Sequence, residues 1–257
     1  MVKVATWNVN SIKARLDRAV AWLQKADPDV VCLQELKMTN DAFPGDAFVE
    51  LGYHCAVNGQ PTWNGVAILS KEPVTDVITG MNDDVDDPQS RLITGNTFGF
   101  TVASAYFPNG QSVGSDKWEY KLQWMDRLRA FLDANFSAQS PFLLCGDYNV
   151  APEDRDVAFP DRWANSVLCV EESRNKLTAI REWGFEDTMR KITDEDGPYS
   201  WWDYRRLAFP KGDGLRIDHI YATKAIAERC RAAYVDRDER KGHKPSDHAP
   251  VIAEFDL

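Results

Sequence analysis

Among five cysteines, Cys32, Cys55, Cys145, Cys169 and Cys230, there is no Cys-x-x-Cys pair, and the odd number leaves a thiol unpaired in any disulfide scheme. That argues against a disulfide-stapled secreted domain and for reduced, structural thiols, with Cys32 and Cys145 inside apolar runs. Long hydrophobic stretches are missing as well, since none approaches the roughly 20 residues that cross a bilayer, so no membrane association is expected. The opening M-V-K-V-A-T-W is a strand pattern without signal-peptide architecture, and the expectation is a cytoplasmic protein. Excess positive charge is absent: the formal net charge is -10, which excludes loose polyanion binding and requires any nucleic acid to meet a locally basic face. Repeats, low-complexity tracts and linker-like composition are absent too, so the 257 residues are expected to form one domain over 1–257.

What is present is a set of apolar runs that stop abruptly at polar groups. P-F-L-L-C-G-D-Y-N, over 141–149, ends in Gly146, Asp147 and Asn149. The same character recurs in T-W-N-V-N (6–10), C-L-Q-E (32–35), R-I-D-H (216–219) and P-S-D-H-A-P (245–250). A buried strand that releases a carboxylate, carboxamide or imidazole at its end builds a rigid polar site. Such groups without clustered cysteines suit a hard cation such as Mg²⁺ acting on phosphate oxygens.

Helical spacing of Ile12, Leu16, Ala19 and Leu23 predicts a helix over 11–27, stopped by Asp27-Pro28 and followed by a strand that ends at Glu35. Strands are predicted over 66–69 and 98–107. A second helix carries Trp118, Leu122, Met125 and Leu132 and leads into a strand over 142–145. A third, with Leu177, Ile180 and Trp183 on one face, closes at Gly184, and strands return over 217–222 and 251–255. This pattern reads as two helix-covered sheets packed face to face. D-V-V-C-L-Q-E and F-L-L-C-G-D are similar enough to raise an internal duplication, though two short apolar strands ending in acids can also match by chance. The acidic run Asp83, Asp84, Asp86 and Asp87 reads as a solvated loop.

Taken singly, Asp147 and Asn149 could form an Asx turn, Glu35 a surface charge, and Asp247-His248 a plain turn. Their joint occurrence at strand edges supplies what phosphodiester hydrolysis needs: an activated water, neutralised phosphoryl oxygens and a stabilised leaving group. One ion or two fit these residues, because Asp147, Asn149 and His248 could form a second site.

From W-N-V-N-S-I-K-A-R through L-Q-E-L-K, G-V-A-I-L-S-K, Y-F-P-N-G, C-G-D-Y-N, S-W-W-D-Y-R and G-L-R-I-D-H to K-P-S-D-H-A-P, the chain resembles the exonuclease III class of abasic-site endonucleases. That class lies within the endonuclease/exonuclease/phosphatase superfamily, which includes DNase I. The resemblance implies an α/β fold, a DNase I-like four-layer α/β/β/α sandwich. It implies Glu35 as the principal Mg²⁺ ligand (with Mn²⁺ as a substitute) and Asn10 and Asp247 as neighbouring metal residues. Asp147 matches the acid that activates water, Asn149 its positioning amide, Asn8 a supporting amide, Tyr106 a phosphate contact, and Asp218 with His248 the acid-oriented imidazole. Asn109 lies in the DNA-facing loop, and Arg91 is a backbone contact. Trp201 matches an aromatic against the abasic sugar, whereas Leu215 stands where some relatives carry tryptophan, making that pocket less aromatic.

The segment from Trp201 to Arg216 interleaves Trp201, Trp202 and Tyr204 with Arg205, Arg206, Lys211 and Arg216, a mix suited to a phosphate backbone beside a sugar pocket, with Trp202 in the core. The resemblance therefore implies a monomeric Mg²⁺-dependent DNA repair nuclease acting on double-stranded DNA. It would cut 5′ to abasic sites, degrade duplexes from 3′ ends and clean blocked 3′ ends. Superfamily phosphodiesterases for inositol or lipid phosphates, and a non-enzymatic nucleic-acid-binding regulator with a degraded site, are the alternatives. The first is opposed by the Trp201 segment and Y-F-P-N-G, the second by the intact Glu35, Asp147, Asn149 and His248.

Overall fold

In the computed structural model, which describes residues 1–257, the two apolar runs that end in acids become central strands of two separate six-stranded sheets. Numbered in chain order, the first sheet contains β1 (Val2–Asn8), β2 (Val30–Gln34), β3 (His54–Asn58), β4 (Val66–Ser70), β11 (Cys230–Val235) and β12 (Val251–Phe255), ordered β11-β12-β1-β2-β4-β3. The second contains β5 (Thr75–Thr79), β6 (Leu92–Thr97), β7 (Phe100–Tyr106), β8 (Phe142–Asp147), β9 (Phe185–Asp187) and β10 (Asp218–Thr223), ordered β5-β6-β7-β8-β10-β9. The helices are α1 (Ile12–Ala26), α2 (Gly45–Val49), α3 (Asp116–Asn135), α4 (Pro160–Trp163), α5 (Glu171–Arg181), α6 (Thr188–Ile192), α7 (Ala208–Lys211) and α8 (Lys224–Ala227).

Each sheet has one parallel pair at its centre, β1 with β2 and β7 with β8, and antiparallel pairing everywhere else. A long helix, α1 or α3, joins the strands of each parallel pair, as parallel neighbours require. The two similar segments of sequence thus lie on equivalent strands, β2 and β8, of two sheets with the same pattern of strand directions. The period of two explains why both runs are almost wholly apolar. Val30 and Cys32 of β2, and Leu143 and Cys145 of β8, face the space between the sheets. Val31 and Leu33 pack outward with Trp22 and Leu23 of α1, while Phe142 and Leu144 pack outward with Trp124 and Leu128 of α3. These outer cores complete the four-layer α/β/β/α sandwich. Truncating Leu33 or Leu144 to alanine should cost about 2–5 kcal/mol.

Helix α1 runs between its sequence signals, with the Ser11 hydroxyl accepting from Ala14 N–H and Asp27 closing it in the left-handed region. The predicted strand over 98–107 begins too early: Phe98 and Gly99, at φ 49° and 76°, form the turn of the β6–β7 hairpin. Strands β3, β5 and β6 carried no clear period, since β5 is largely exposed and β6 contains Gly95 and Asn96. Trp183 lies just beyond the end of α5 but shares a core cluster with Leu177 and Ile180, edge-on to Phe142 and tilted against Phe185. The acidic run is not simply solvated. Arg127 grips Asp83 and Asp87 at 2.7 Å each, and the Tyr120 hydroxyl donates to Asp87 at 2.9 Å, clamping that loop onto α3. No helix is long and apolar enough to cross a membrane.

Candidate active site

Strand register gathers the polar groups on one rim. Parallel pairing places the carboxyl ends of β1 and β2 side by side, bringing Asn8 next to Gln34 and hence to Glu35. In the second sheet Tyr106 is the register partner of Asp147, and antiparallel β10 begins at Asp218 opposite that same Asp147. Antiparallel β12 runs toward the start of β1, so the loop before it sets Asp247 and His248 beside the end of β1. Asn10, Glu35 and Asn149 all adopt positive φ (43°, 54° and 49°), a conformation uncommon for side-chain-bearing residues and concentrated at functional sites. Gly146 is required by close approach: a Cβ there would meet the Ala105 carbonyl oxygen at 1.9 Å.

Asp147 is the hub. The Asn8 carboxamide donates to Glu35 Oε1 at 2.8 Å and to Asp147 Oδ2 at 2.9 Å, linking carboxylates from the two sheets. Asn149 N–H donates to Asp147 Oδ1 at 2.9 Å, and Asn109 Nδ2 donates to Asn149 Oδ1 at 2.9 Å. His248 Nε2 lies 3.7 Å from Asp147 Oδ2, while its Nδ1 meets Asp218 Oδ2 at 2.9 Å. Asp218 in turn accepts from the Ser200 hydroxyl at 2.6 Å. Tyr106 carries the Arg91 guanidinium 4.7 Å over its ring, and Arg91 Nη1 donates to the Tyr106 carbonyl at 3.2 Å.

Burial raises the Asp147 carboxyl to about 7 against the opposing attraction of His248, and the nearby Asp218 and Glu35 carboxylates push the same way. Burial also works against a charged His248, but Asp218 and Asp147 outweigh it and raise the ring to about 10. The site therefore holds an imidazolium beside a carboxyl that exchanges its proton near neutral pH. Although burial opposes it, Asp247 stays below the usual carboxylate range because of His248 and the hydrogen bonds from Trp201 and Asn10. Burial and then Glu35 drive the Tyr106 phenol well above its ordinary value, so it remains a donor.

Glu35, Asp147 and His248 offer ligand atoms that all lie within 4.8 Å of one another. A cation fits here for a second reason: the Lys37 ammonium already bridges Glu35 Oε2 at 2.9 Å and Asn10 Oδ1 at 2.6 Å. Hard oxygen donors of this kind suit a small divalent ion. Asn10 and Asp247 form an adjoining network, with Asn10 Nδ2 donating to Asp247 Oδ1 at 2.9 Å and Trp201 Nε1 donating to Asp247 Oδ2 at 3.0 Å.

The cleft, about 530 Å³, is lined by Glu35, Tyr106, Asn109, Asp147, Trp201 and His248 among others. Asn8 is fully buried beneath it and bridges the carboxylates rather than facing a substrate. Two expectations are corrected. Leu215 is fully buried, paired by backbone hydrogen bonds with Trp201 and packed beside Ile217, so it supports the wall from behind instead of lining the pocket. Arg216 is also buried, bonded to Asp156 and Asp187 at 2.7 and 2.9 Å, and presents no charge to a phosphate backbone. Trp202 is buried, in accord with its core assignment.

The sequence patterns do not mark Ser200, Lys37 or Lys121 as site residues. Lys121 is buried, and its ammonium donates to the carbonyls of Asn109, Asn149 and Val167 at 3.2, 2.8 and 2.8 Å, tying together three loops of the cleft. Its signal was present: Lys121 falls on the same helix face as Trp118, Leu122 and Met125.

The sequence matches the Endonuclease/Exonuclease/phosphatase family over residues 5–248, which takes in all the rim residues described above. The exodeoxyribonuclease III of Haemophilus influenzae is 36% identical, and the alignment covers 99% of this chain and 100% of that protein. An AP endonuclease structure from Archaeoglobus fulgidus superposes with a TM-score of 0.97 at 42% identity, covering 100% of both chains. The structure of a 3′ phosphatase from Neisseria bound to a product DNA hairpin superposes with a TM-score of 0.96 at 38% identity, again over 100% of both chains. With the family matched over residues 5–248 and with relatives covered over their full length, the chain belongs to the endonuclease/exonuclease/phosphatase family.

Proposed function

We propose that this chain is a divalent-cation-dependent DNA repair nuclease that hydrolyses the phosphodiester 5′ to abasic sites in duplex DNA and also acts at 3′ ends. The enzyme class, a phosphodiester hydrolase of exodeoxyribonuclease and AP endonuclease type, follows from the full-length relatives. The observation that carries the chemistry is the buried line Asp218, His248, Asp147, with one carboxylate holding the ring and the other facing it.

Asp147 accepts a proton from the attacking water as the oxygen–phosphorus bond forms. The His248 imidazolium, kept charged by Asp218, donates to a phosphoryl oxygen that gains charge in the transition state, with Asn149 and Tyr106 as further donors. The bond from phosphorus to the 3′ oxygen breaks, and that oxygen takes a proton from solvent water, leaving a 3′-hydroxyl and a 5′-phosphate on the abasic sugar. Glu35 and Asp147 would hold Mg²⁺, or Mn²⁺ in its place, and that ion supplies Lewis-acid stabilisation of charge on the phosphate and leaving oxygens. Against a net charge of -10, DNA contact would rest on local cations such as Arg91, Arg205 and Arg206.

The test is an end-labelled duplex carrying one abasic site, incubated with Mg²⁺ or with EDTA. Incision 5′ to the site with a 3′-hydroxyl, abolished by EDTA, is expected. Metal-independent cleavage, or cleavage of inositol or lipid phosphodiesters in preference to DNA, would overturn the reading.

A further inference from the structure

One end of the cleft is closed by a wall that the sandwich does not provide. Helix α4 lies in the connection between β8 and α5, and its last residue, Trp163, packs edge-on against Trp201 with ring centroids 5.7 Å apart and planes at 81°. Its indole N–H donates to Asp213 Oδ1 at 3.2 Å, so the ring is held from both ends. This half-buried ring borders the catalytic cleft and also two hollows of about 290 and 410 Å³, which Arg162, Arg206, Ala208 and Asp213 help to line. Trp163 is the one side chain that borders all three spaces, while Asp203 and Arg205 border the cleft and the first hollow, and Asn165 and Ser166 the cleft and the second. The indole is therefore a partition.

Indole and purine are both fused five- and six-membered rings of similar size. Removing the indole would open, next to the Trp201 ring, a slot shaped for a purine and connected to Arg205 and Arg206. We propose that Trp163 is a specificity-determining residue: it closes the cleft beyond Trp201 so that a base-free sugar is accommodated in preference to a base-bearing nucleotide. The inference rests on the nuclease reading above. It concerns which groups fit rather than the Asp147 and His248 chemistry, because the hydrogen bond of Trp163 goes to Asp213 and its ring packs on Trp201.

The experiment measures kcat/KM for wild type, Trp163→Ala and Trp163→Phe on two matched duplexes, one with an internal tetrahydrofuran abasic analogue and one with an ordinary 3′-terminal adenosine nucleotide. Inhibition by free deoxyadenosine monophosphate is measured alongside. Expected are a shift of about tenfold in Trp163→Ala toward the base-bearing end, as a pocket-filling group typically controls, an intermediate value in Trp163→Phe, and tighter inhibition by the nucleotide in the alanine variant. A ratio and an inhibition constant unchanged within twofold in both variants, while wild type cleaves both duplexes, would overturn the proposal alone. Should Trp163→Ala fail to fold by near-ultraviolet circular dichroism, the phenylalanine variant decides on the same two readouts. A wild type that cleaves neither duplex would overturn the nuclease reading and this inference with it.

Discussion

The indole N–H of Trp201 donates to Asp247 Oδ2 at 3.0 Å, so the aromatic wall of the cleft also holds a carboxylate of the network that surrounds the cation site. Wall and anchor are separable by mutation. Trp201→Phe keeps a ring in place and removes the donor, whereas Trp201→Ala removes both. A hydrogen bond to a buried charged group contributes about 1.5–3 kcal/mol, so both variants should need roughly tenfold more Mg²⁺ for half-maximal turnover. Only the alanine variant should also lose preference for abasic sites over ordinary 3′ ends. Mg²⁺ titrations on the two duplexes check this, and equal Mg²⁺ requirements in all three proteins would mean that the indole N–H does not matter to the site.

The pH dependence should be bell-shaped. In the proposed mechanism turnover needs Asp147 deprotonated and His248 protonated, so kcat/KM should rise through about pH 7 and fall through about pH 10. Added Mg²⁺ on Glu35 should draw the acid limb to lower pH, because a cation favours the ionised form of Asp147. Asp218→Asn removes the main attraction for the His248 proton and should bring the alkaline limb down toward neutrality. A rate profile flat from pH 6 to 11 would contradict both assignments.

Stability carries the same signature. The Asp147 value in the folded protein is raised above 3.8, so its contribution is fully present below about pH 4 and is lost as pH rises through about 7. His248 is likewise raised above 6.5, and its contribution is lost only as pH rises from there through about 10. In EDTA, Tm should therefore fall between pH 4 and pH 7, and Asp147→Asn should flatten that fall and sit a few degrees higher at pH 7. Parallel Tm curves for the two proteins would show that the buried carboxyl is not strained.

Lys37 competes for the same oxygens as a cation, sitting 2.9 Å from Glu35 Oε2. Glu35→Gln, a poorer ligand, should raise the Mg²⁺ requirement at least about tenfold, with partial recovery at high Mg²⁺. Lys37→Met removes a like charge from the ion's place and should lower the requirement several-fold. Isothermal titration of Mg²⁺ into the free proteins reads both directly, and unchanged affinity in Glu35→Gln would remove Glu35 from the site.

The rim was legible because an acid or amide that ends an apolar strand is conspicuous, and both central strands advertised themselves by being buried on two faces. What stayed hidden depended on partners distant in the chain. Arg216 reads like its exposed neighbours Arg205 and Arg206 until Asp156 and Asp187 are brought against it by the fold. Leu215 could be placed near Trp201, but its side of the wall is set by the pairing of residues 201 and 215. Lys121 announced a buried lysine by its helical phase, yet the three carbonyls that accept from it belong to loops whose approach no local pattern encodes. Edge strands such as β5, exposed on most positions, carry too little alternation to be read.

The central claim, that Asp147 is the base which activates water, is tested most directly by the single-turnover rate of Asp147→Asn on a duplex with one tetrahydrofuran site at saturating Mg²⁺. The amide fills the same volume and can keep its bond from the Asn149 N–H, but it cannot accept the water's proton. A loss of about a thousandfold or more, with DNA affinity within a few-fold of wild type, is the expected result. Cleavage within about tenfold of wild type would contradict the assignment and move the base elsewhere in the cleft.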